Sequence, residues 1–231
     1  MRAFVLMVIV AGCFSGTAKI ASSQPVASSA TVVEIAQQTE APESSVARVR
    51  DYVIGGGHNA QRQFIVIDKQ RARLFVFSTR GKLEAESPIL LGAARGDFSV
   101  PGIGERRLAD IKPHEKTTPA GGFFSRPGQN LAGEDVIWLD YEAGVSMHRV
   151  RATNPTERRL ERLASETSLD NRISYGCINV PKQFYERRVR PVFRADGAWV
   201  YVIPETMPVE RLTAEGSSPS VLLGAVRQGR P

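Results

Sequence analysis

The sequence contains few cysteines, few histidines and no second long apolar run, and these shortages exclude several classes of protein. Of its 231 residues only two are cysteine, and Cys13 lies in an apolar leader, so Cys177 has no partner in the body of the chain. One such cysteine and three scattered histidines lack the spacing of metal ligands, so we expect no metal site and no cofactor. After the leader, no apolar stretch is long enough to cross a membrane.

Positive charge is in modest excess, at +6 for the whole chain. Removing residues 1–23 takes away Arg2 and Lys19 and no acidic residue, which leaves +4. The lysines and arginines are scattered rather than gathered into one stripe, and no nucleic-acid-binding motif is present, so nucleic acid is not an expected partner. An excess of this size favours anionic surroundings such as cell-wall polymers.

The N-terminal residues have the layout of an export signal. One arginine precedes an apolar run from Ala3 to Phe14, and small residues follow, which is typical of a signal peptide over residues 1–23. An alternative interpretation takes the sequence VAGC as a lipoprotein motif, which makes Cys13 a lipid anchor. Both interpretations predict an exported protein, located in the periplasm or the cell wall.

Composition divides the rest of the chain into three parts. Residues 24–60 are rich in Ser, Ala, Thr and Gln and end near a triple glycine, which predicts a flexible linker. Residues 61–205 carry the segments of a folded domain. Residues 206–231 are expected to form a loosely ordered tail.

Short segments rich in β-branched and aromatic residues predict a mainly β domain with inserted helices. The first two segments are separated by three residues and predict a hairpin. The sequence between residues 93 and 135 is full of Gly and Pro, which predicts several loops with one or two short strands. The hairpin strands cover residues 63–69 and 73–78, and the other predicted strands cover residues 87–92, 136–141, 144–148 and 198–204.

Two helices are predicted in the second half of the chain. The first covers residues 154–166 and begins with Asn154 as its N-cap. The second covers residues 181–190 and ends before Pro191, whose ring would clash with the preceding turn. We expect the charged side chains of the first helix to face solvent, namely Arg158, Arg159, Glu161 and Arg162.

An unpaired thiol in an exported protein is either reactive or a buried, inert side chain, and the count alone does not decide between them. A reactive thiol attacks as its thiolate and therefore needs a nearby base, usually histidine. His58 lies in a glycine-rich loop and His114 in a charged loop, whereas His148 follows a predicted strand that would hold it rigidly. If Cys177 is a nucleophile, His148 is therefore the best candidate for its base.

The residues around Cys177 predict a tight turn. Gly176 permits a backbone path that other residues avoid, and such a turn can aim consecutive N–H groups at one oxyanion. Ser174 and Asn179 flank the turn and can pin it through side-chain hydrogen bonds. Ordinary turn formation explains the same two residues equally well.

The pattern H…SYGCIN, with TTPAGGF upstream, resembles the catalytic domain of the L,D-transpeptidase (YkuD-like) family. The resemblance runs from about residue 62 to 204 and implies a β-sandwich with inserted helices. It departs from the family pattern at Tyr175, where many members have a second histidine, and in the 25 residues between His148 and Ser174. The matching positions of the signature are His148, Ser174, Gly176, Cys177, Ile178 and Asn179.

The resemblance implies a peptidoglycan L,D-transpeptidase. Its cysteine would form a thioester with a tetrapeptide stem, release D-alanine and make 3–3 cross-links or attach a protein. A hydrolase or carboxypeptidase of the same fold, which resolves the thioester with water, is a close alternative. A non-catalytic cell-wall-binding module is a third, because a fold alone does not establish function.

Three arginines lie close in sequence to the nucleophile and the base. Arg149, Arg151 and Arg172 are candidates to hold carboxylates of peptidoglycan stem peptides through paired hydrogen bonds. The alternative is that they face solvent, as most arginines of a basic protein do.

Overall fold

Ten strands and several short helices make up the part of the chain that the computed structural model describes, residues 42–194 and 196–213. The mainly β prediction with inserted helices is confirmed. The predicted signal peptide, the lipid-anchor alternative at Cys13 and residues 214–231 of the predicted tail lie outside the described residues.

The strands are β1 (Phe64–Asp68), β2 (Arg73–Phe77), β3 (Leu83–Pro88), β4 (Leu91–Gly92), β5 (Gly121–Gln129), β6 (Asp135–Asp140), β7 (Val145–Arg149), β8 (Arg172–Ser174), β9 (Ile178–Val180) and β10 (Ala198–Ile203). The helices are α1 (Pro42–Gly55), α2 (Arg159–Ala164), α3 (Lys182–Phe184) and α4 (Glu210–Thr213). A π-helix (Tyr185–Val189) follows α3, and 3-10 turns cover Ile103–Glu105, Leu108–Asp110, Pro113–Glu115, Pro155–Glu157 and Arg190–Phe193.

Eight of the strands form one sheet in the order β3-β2-β1-β10-β5-β6-β7-β9, and β4 pairs with β8 separately. Two pairs in the large sheet are parallel, β1 with β10 and β7 with β9, and the others are antiparallel. Parallel neighbours require a long crossover connection. The connection between β7 and β9 carries the inserted helix α2 and the predicted nucleophile.

The sheet curves until its two ends are joined. Ile89, just after β3, donates its N–H to the carbonyl oxygen of Ala72 at 2.9 Å, and Leu90 exchanges two 2.9 Å hydrogen bonds with Asn179 in β9. One apolar core lies inside the curve and includes Ile67 of β1 and Met147 of β7, both fully buried. The ends of the sheet therefore face a common interior, as the predicted sandwich requires.

A second apolar cluster covers the outer face of β1, β2 and β10. It consists of side chains from α1, such as Val49 and Val53, packed on Phe64 of β1 and Tyr201 of β10. The prediction of a flexible linker over residues 24–60 is wrong for residues 42–55. The helix was missed because its apolar face is narrow and lies among Ser, Glu and Arg, and only packing on the sheet stabilises it.

The predicted tail is also wrong for its first residues. Strand β10 is followed by α4, whose Leu212 is 2% exposed and packs in the same outer cluster as α1. Val209 is buried beside it. Residues 206–213 are therefore part of the folded body.

Both predicted helices exist in a broken form. Asn154 caps as predicted, accepting the N–H of Thr156, but only a 3-10 turn follows before Arg158 adopts a left-handed φ of 49° and α2 begins. The second consists of α3 and the π-helix, and it ends at Val189, before Pro191 as predicted. Pro191 lies in the first turn of a new 3-10 segment. The backbone N–H that proline lacks would have no partner within the helix at that position, so proline is tolerated there.

Candidate active site

Strand pairing brings the predicted base and nucleophile together. In the parallel pair of β7 and β9, Met147 lies opposite Ile178 and both are buried in the inner core. Because side chains alternate along a strand, Ser146 and His148 lie on the other face, which Cys177 also shares. The Cys177 Sγ is 3.7 Å from the Ser146 hydroxyl oxygen and 3.5 Å from the carbonyl oxygen of Gly144.

His148 is oriented by the backbone. Its Nδ1 lies 2.7 Å from the carbonyl oxygen of Arg149. A carbonyl oxygen can only accept, so Nδ1 carries the proton and Nε2 is left as the basic nitrogen. No acidic side chain is needed to fix this tautomer, and the sequence could not have shown which group does so.

The thiol is electrostatically prepared for attack. Burial raises the pKa of Cys177, but the hydrogen bond and the charge of His148 and the hydrogen bonds of Ser146 outweigh it. The pKa of the thiol therefore lies below its ordinary value. A larger fraction of Cys177 is thiolate at neutral pH than in an ordinary cysteine.

The turn before β9 requires glycine. Gly176 has a φ of 135°, and a Cβ added there would lie 2.7 Å from the carbonyl oxygen of Thr117. Its N–H is bound to the Ser174 hydroxyl at 3.1 Å, so it does not point at an oxyanion. The turn therefore does not present the Gly176 N–H to an oxyanion, whereas we had expected consecutive backbone donors.

Ser174 and Asn179 pin the carbonyl group of Cys177. The Ser174 hydroxyl donates to this oxygen at 2.6 Å and the Asn179 Nδ2 donates to it at 3.2 Å. Both side chains are buried. The two residues therefore support the nucleophile's backbone, and neither contacts the thiol directly through a hydrogen bond.

Thr118, in the TPAG segment, is a support that the sequence analysis did not single out. Its hydroxyl donates to the Gly176 carbonyl at 2.9 Å and accepts the N–H of Gly92 at 2.9 Å. The side chain is fully buried. The segment thus holds the turn from the side opposite to β7, and the TPAG match was the only signal in the sequence.

Replacing Gly176 by alanine tests this packing. The left-handed backbone costs a residue with a Cβ about 1–2 kcal/mol, and the clash with the Thr117 carbonyl adds about 1–3 kcal/mol. We expect urea unfolding to show the sum as lost stability. The matched control is Gly102→Ala, where φ is 70° and no atom lies within 4 Å of the added Cβ. An equal loss in both variants would show that the contact with Thr117 contributes nothing.

The three arginines proposed as carboxylate ligands all have partners within the protein. Arg149 binds Asp135 through two nitrogens, at 2.8 and 3.1 Å, and Glu186 at 2.5 Å. Its guanidinium also stacks 4.6 Å from the centre of the Tyr185 ring. Arg149 therefore ties β7 to β6 and to the π-helix.

Arg172 is similarly engaged, donating to Glu205 at 2.5 Å and to the carbonyl oxygen of Lys69 at 2.8 Å. Arg151 forms an ion pair with Glu134 at the surface. A substrate carboxylate would have to displace these partners, so substrate binding by the three arginines stays a prediction.

Tyr175 is 40% exposed beside the nucleophile. The ammonium group of Lys116 lies 4.0 Å from the centre of its ring, which is the geometry of a cation–π contact. The phenol therefore holds a lysine at the rim of the site, and it replaces a second imidazole that many members of the resembled family have.

A cleft of about 340 Å³ opens next to His148. It contains the predicted base and the ion pair of Arg151 with Glu134, and Lys182 lines it without a carboxylate partner among the described residues. Lys182 was not predicted as a site residue. The lining residues are Gly133, Glu134, Asp135, His148, Arg149, Val150, Arg151 and Lys182.

A buried ionic cluster lies behind the turn. Lys69 is fully buried and donates to Asp97 at 2.7 Å, to the Gly96 carbonyl at 2.6 Å and to the Thr118 carbonyl at 2.9 Å. Glu205 lies 3.6 Å from the same ammonium group. Thr118 connects the cluster to the turn before Cys177, because its carbonyl accepts from Lys69 and its hydroxyl donates to the Gly176 carbonyl. Of the ionic residues in the cluster, the sequence analysis singled out only Arg172.

Asp97 is held as a carboxylate in this cluster. Burial raises its pKa, but the charge and hydrogen bond of Lys69, with further hydrogen bonds from Thr206 and Glu205, outweigh it and lower the pKa. The donors to Asp97 include the backbone N–H groups of Glu205, Thr206 and Met207 at 2.8–2.9 Å. The segment after β10 is thereby fastened beside the site.

Among the described residues, no group of three or more His, Cys, Asp or Glu side chains is arranged to hold a metal ion. In the same part of the chain, no helix has both the length and the apolar character of a membrane span. The sole cysteine there, Cys177, is a free thiol.

Several solved structures of other proteins are similar to this chain. No protein-family model matches the chain, and no curated protein matches it with significance. The catalytic domain of the Enterococcus faecium L,D-transpeptidase is similar at 20% identity and a TM-score of 0.36, over 62% of this chain and 97% of that one. The helical cell shape determining protein Pgp2 from Campylobacter jejuni is similar at 15% identity and a TM-score of 0.41, over 72% of this chain and 56% of Pgp2.

A third similar structure is the L,D-transpeptidase from Mycobacterium smegmatis, at 15% identity and a TM-score of 0.34. That alignment covers 61% of this chain and 58% of the mycobacterial one. The resemblance stated from the sequence is thus matched by similarity to several L,D-transpeptidase catalytic domains. At 15–20% identity this similarity concerns the fold and assigns no reaction to the chain.

Proposed function

We propose that the protein is a peptidoglycan L,D-transpeptidase in which Cys177 is the nucleophile and His148 the base. The observation that carries the proposal is the pairing of β7 with β9, which puts Cys177 on the face of the sheet that His148 and Ser146 share. His148 and Ser146 also lower the pKa of the thiol despite its burial. The basic Nε2 of His148 is free because Nδ1 is bound to the Arg149 carbonyl. Such a thiol–imidazole pair is suited to forming a covalent acyl-enzyme.

In the first half-reaction, the Cys177 thiolate attacks the carbonyl carbon of the third residue of a tetrapeptide stem, at the amide bond that joins it to the terminal D-alanine. A carbon–sulfur bond forms, and the carbonyl oxygen becomes an oxyanion, for which we propose the Cys177 N–H as a donor. When the carbon–nitrogen bond breaks, His148 gives its proton to the departing amine of D-alanine. The product is a thioester on Cys177.

In the second half-reaction, an amine of another stem attacks the thioester. His148 takes the proton of this amine, the carbon–sulfur bond breaks and Cys177 leaves as a thiolate. The new amide is a 3–3 cross-link, or an attachment if the amine belongs to a protein. Water attacking in place of the amine would make the protein a carboxypeptidase. Such chemistry implies export to the periplasm or the cell wall, with residues 1–23 as the signal peptide.

The test is mass spectrometry of purified tetrapeptide muropeptides incubated with the chain from residue 24 onward, beside its Cys177→Ala variant. We expect muropeptide dimers and free D-alanine with the unchanged chain and neither product with the variant. Tripeptides and D-alanine without dimers would replace the transpeptidase by the hydrolase. If no product forms and no acyl adduct appears on Cys177, the enzyme proposal fails and a wall-binding module takes its place.

A further inference from the structure

The segment between β7 and β8 does more than connect two strands. It carries α2, and the exposed side chains of Arg158, which precedes the helix, and Glu161 pair with each other. Arg159 differs from them, because its side chain is only 14% exposed. The prediction that Arg159 faces solvent is therefore wrong, and the reason is that it turns back toward the nucleophile's strand.

Arg159 joins the segment to the support of the nucleophile. One terminal nitrogen of its guanidinium donates to the Asn179 Oδ1 at 2.5 Å, and its Nε donates to Glu157 at 2.5 Å. Asn179 is fully buried, and its Nδ2 donates to the Cys177 carbonyl oxygen at 3.2 Å. A continuous chain of hydrogen bonds thus runs from Glu157 through Arg159 and Asn179 to Cys177.

The chemistry of Arg159 and Asn179 decides which atom donates and which accepts in these hydrogen bonds. An asparagine amide has an accepting end and a donating end, whereas a guanidinium can only donate. Arg159 therefore fixes Oδ1 on its own side and leaves Nδ2 facing Cys177. Without Arg159, a buried Oδ1 would lose its partner, and rotation of the amide would put two oxygens against each other at the Cys177 carbonyl.

We propose that Arg159 is a positioning residue of the active site, which acts through Asn179 to hold Cys177 in line with His148. Its effect on turnover rests on the proposed function, but its effect on the thiol does not. The long segment between His148 and Ser174 then has a function, because it brings the Arg159 guanidinium next to β9, the strand that follows Cys177.

A second arginine of α2 separates this role from a merely structural one. Arg162 donates to the carbonyl oxygens of Glu157 at 2.8 Å and of Asp170 at 2.6 Å. These contacts hold the segment to itself and do not reach Asn179. A variant at Arg162 therefore loosens the same segment while leaving the chain of hydrogen bonds to Cys177 in place.

The test measures the rate of Cys177 alkylation by iodoacetamide against pH for Arg159→Met, Arg159→Lys, Arg162→Met and the unchanged protein, with thermal unfolding of each. We expect Arg159→Met to raise the midpoint of the profile by about half a pH unit or more, because the thiol moves away from His148. Arg159→Lys keeps a donor for Oδ1 and should restore most of the profile. Arg162→Met should lower the unfolding temperature without moving the midpoint.

The proposal is overturned if Arg159→Met has the profile of the unchanged protein, or if Arg162→Met moves the midpoint equally. Muropeptide turnover, measured alongside, should fall between about 10- and 100-fold in kcat for Arg159→Met with little change in KM. If the unchanged protein has no turnover but the alkylation profiles shift as expected, the proposed function fails while the positioning role of Arg159 stands.

Discussion

We expect the His148→Ala variant to turn over tetrapeptide stems about 10²- to 10⁴-fold more slowly than the unchanged protein. In the proposed reaction the imidazole has two roles that no neighbouring side chain can take over, since it accepts the thiol proton and then protonates the leaving amine. Ser146, the other side chain beside the thiol, is a hydroxyl and cannot act as a base at neutral pH. The loss should therefore fall on kcat, and steady-state kinetics with muropeptides measures it.

The same variant should change the titration of the thiol. His148 lowers the pKa of Cys177 through its hydrogen bond and its charge, whereas burial raises it. Removing the imidazole leaves the effect of burial, so the midpoint of the alkylation profile should move to higher pH. The control is His114→Ala, since His114 is exposed in a 3-10 turn. Identical midpoints in the His148→Ala variant and the unchanged protein would contradict the assignment of the base.

The second large effect is on stability. Replacing Lys69 by methionine leaves the carboxylates of Asp97 and Glu205 buried without their ammonium partner. Breaking a buried ionic cluster by removing one partner costs about 3–5 kcal/mol, which is a large share of the stability of a domain. We expect urea unfolding to show a loss of this size.

Two controls keep this result interpretable. Lys82→Met removes an exposed lysine in the turn before β3 and should change the free energy of unfolding by less than about 0.5 kcal/mol. The double variant Lys69→Met with Asp97→Asn removes charges of both signs and should recover part of the loss. If Lys69→Met unfolds at the same urea concentration as the Lys82→Met variant, the cluster does not stabilise the fold.

Short patterns in the sequence led to two candidate site residues that the structure brings together. A lone thiol after a glycine pointed to Cys177 and a position at the end of a strand pointed to His148, and the pairing of β7 with β9 puts both on one face of the sheet. The β-branched and aromatic residues of segments such as 63–69 predicted strands that exist. These features are local, so the residues that carry them are neighbours in the chain.

What the sequence could not show depends on residues far apart in the chain. Lys69 follows a strand and looks like any solvated lysine there, because its partners Asp97 and Glu205 come 28 and 136 positions later. Arg159 looks like one of several wet arginines until α2 is placed beside β9. The orientation of His148 depends on a backbone carbonyl, which every residue has.

The pairing of β1 with β10 sets the order in which the protein can fold. Phe64 lies opposite Trp199 in that parallel pair, so the centre of the sheet joins residues 135 positions apart. Loops of this length close slowly, and contacts so distant in sequence favour slow folding. During synthesis the hairpin of β1 and β2 can form early, but the sheet has a gap at its centre until residue 203 has been made. The large sheet is therefore completed only after β10 has been made, which is later than the segment that carries His148 and Cys177.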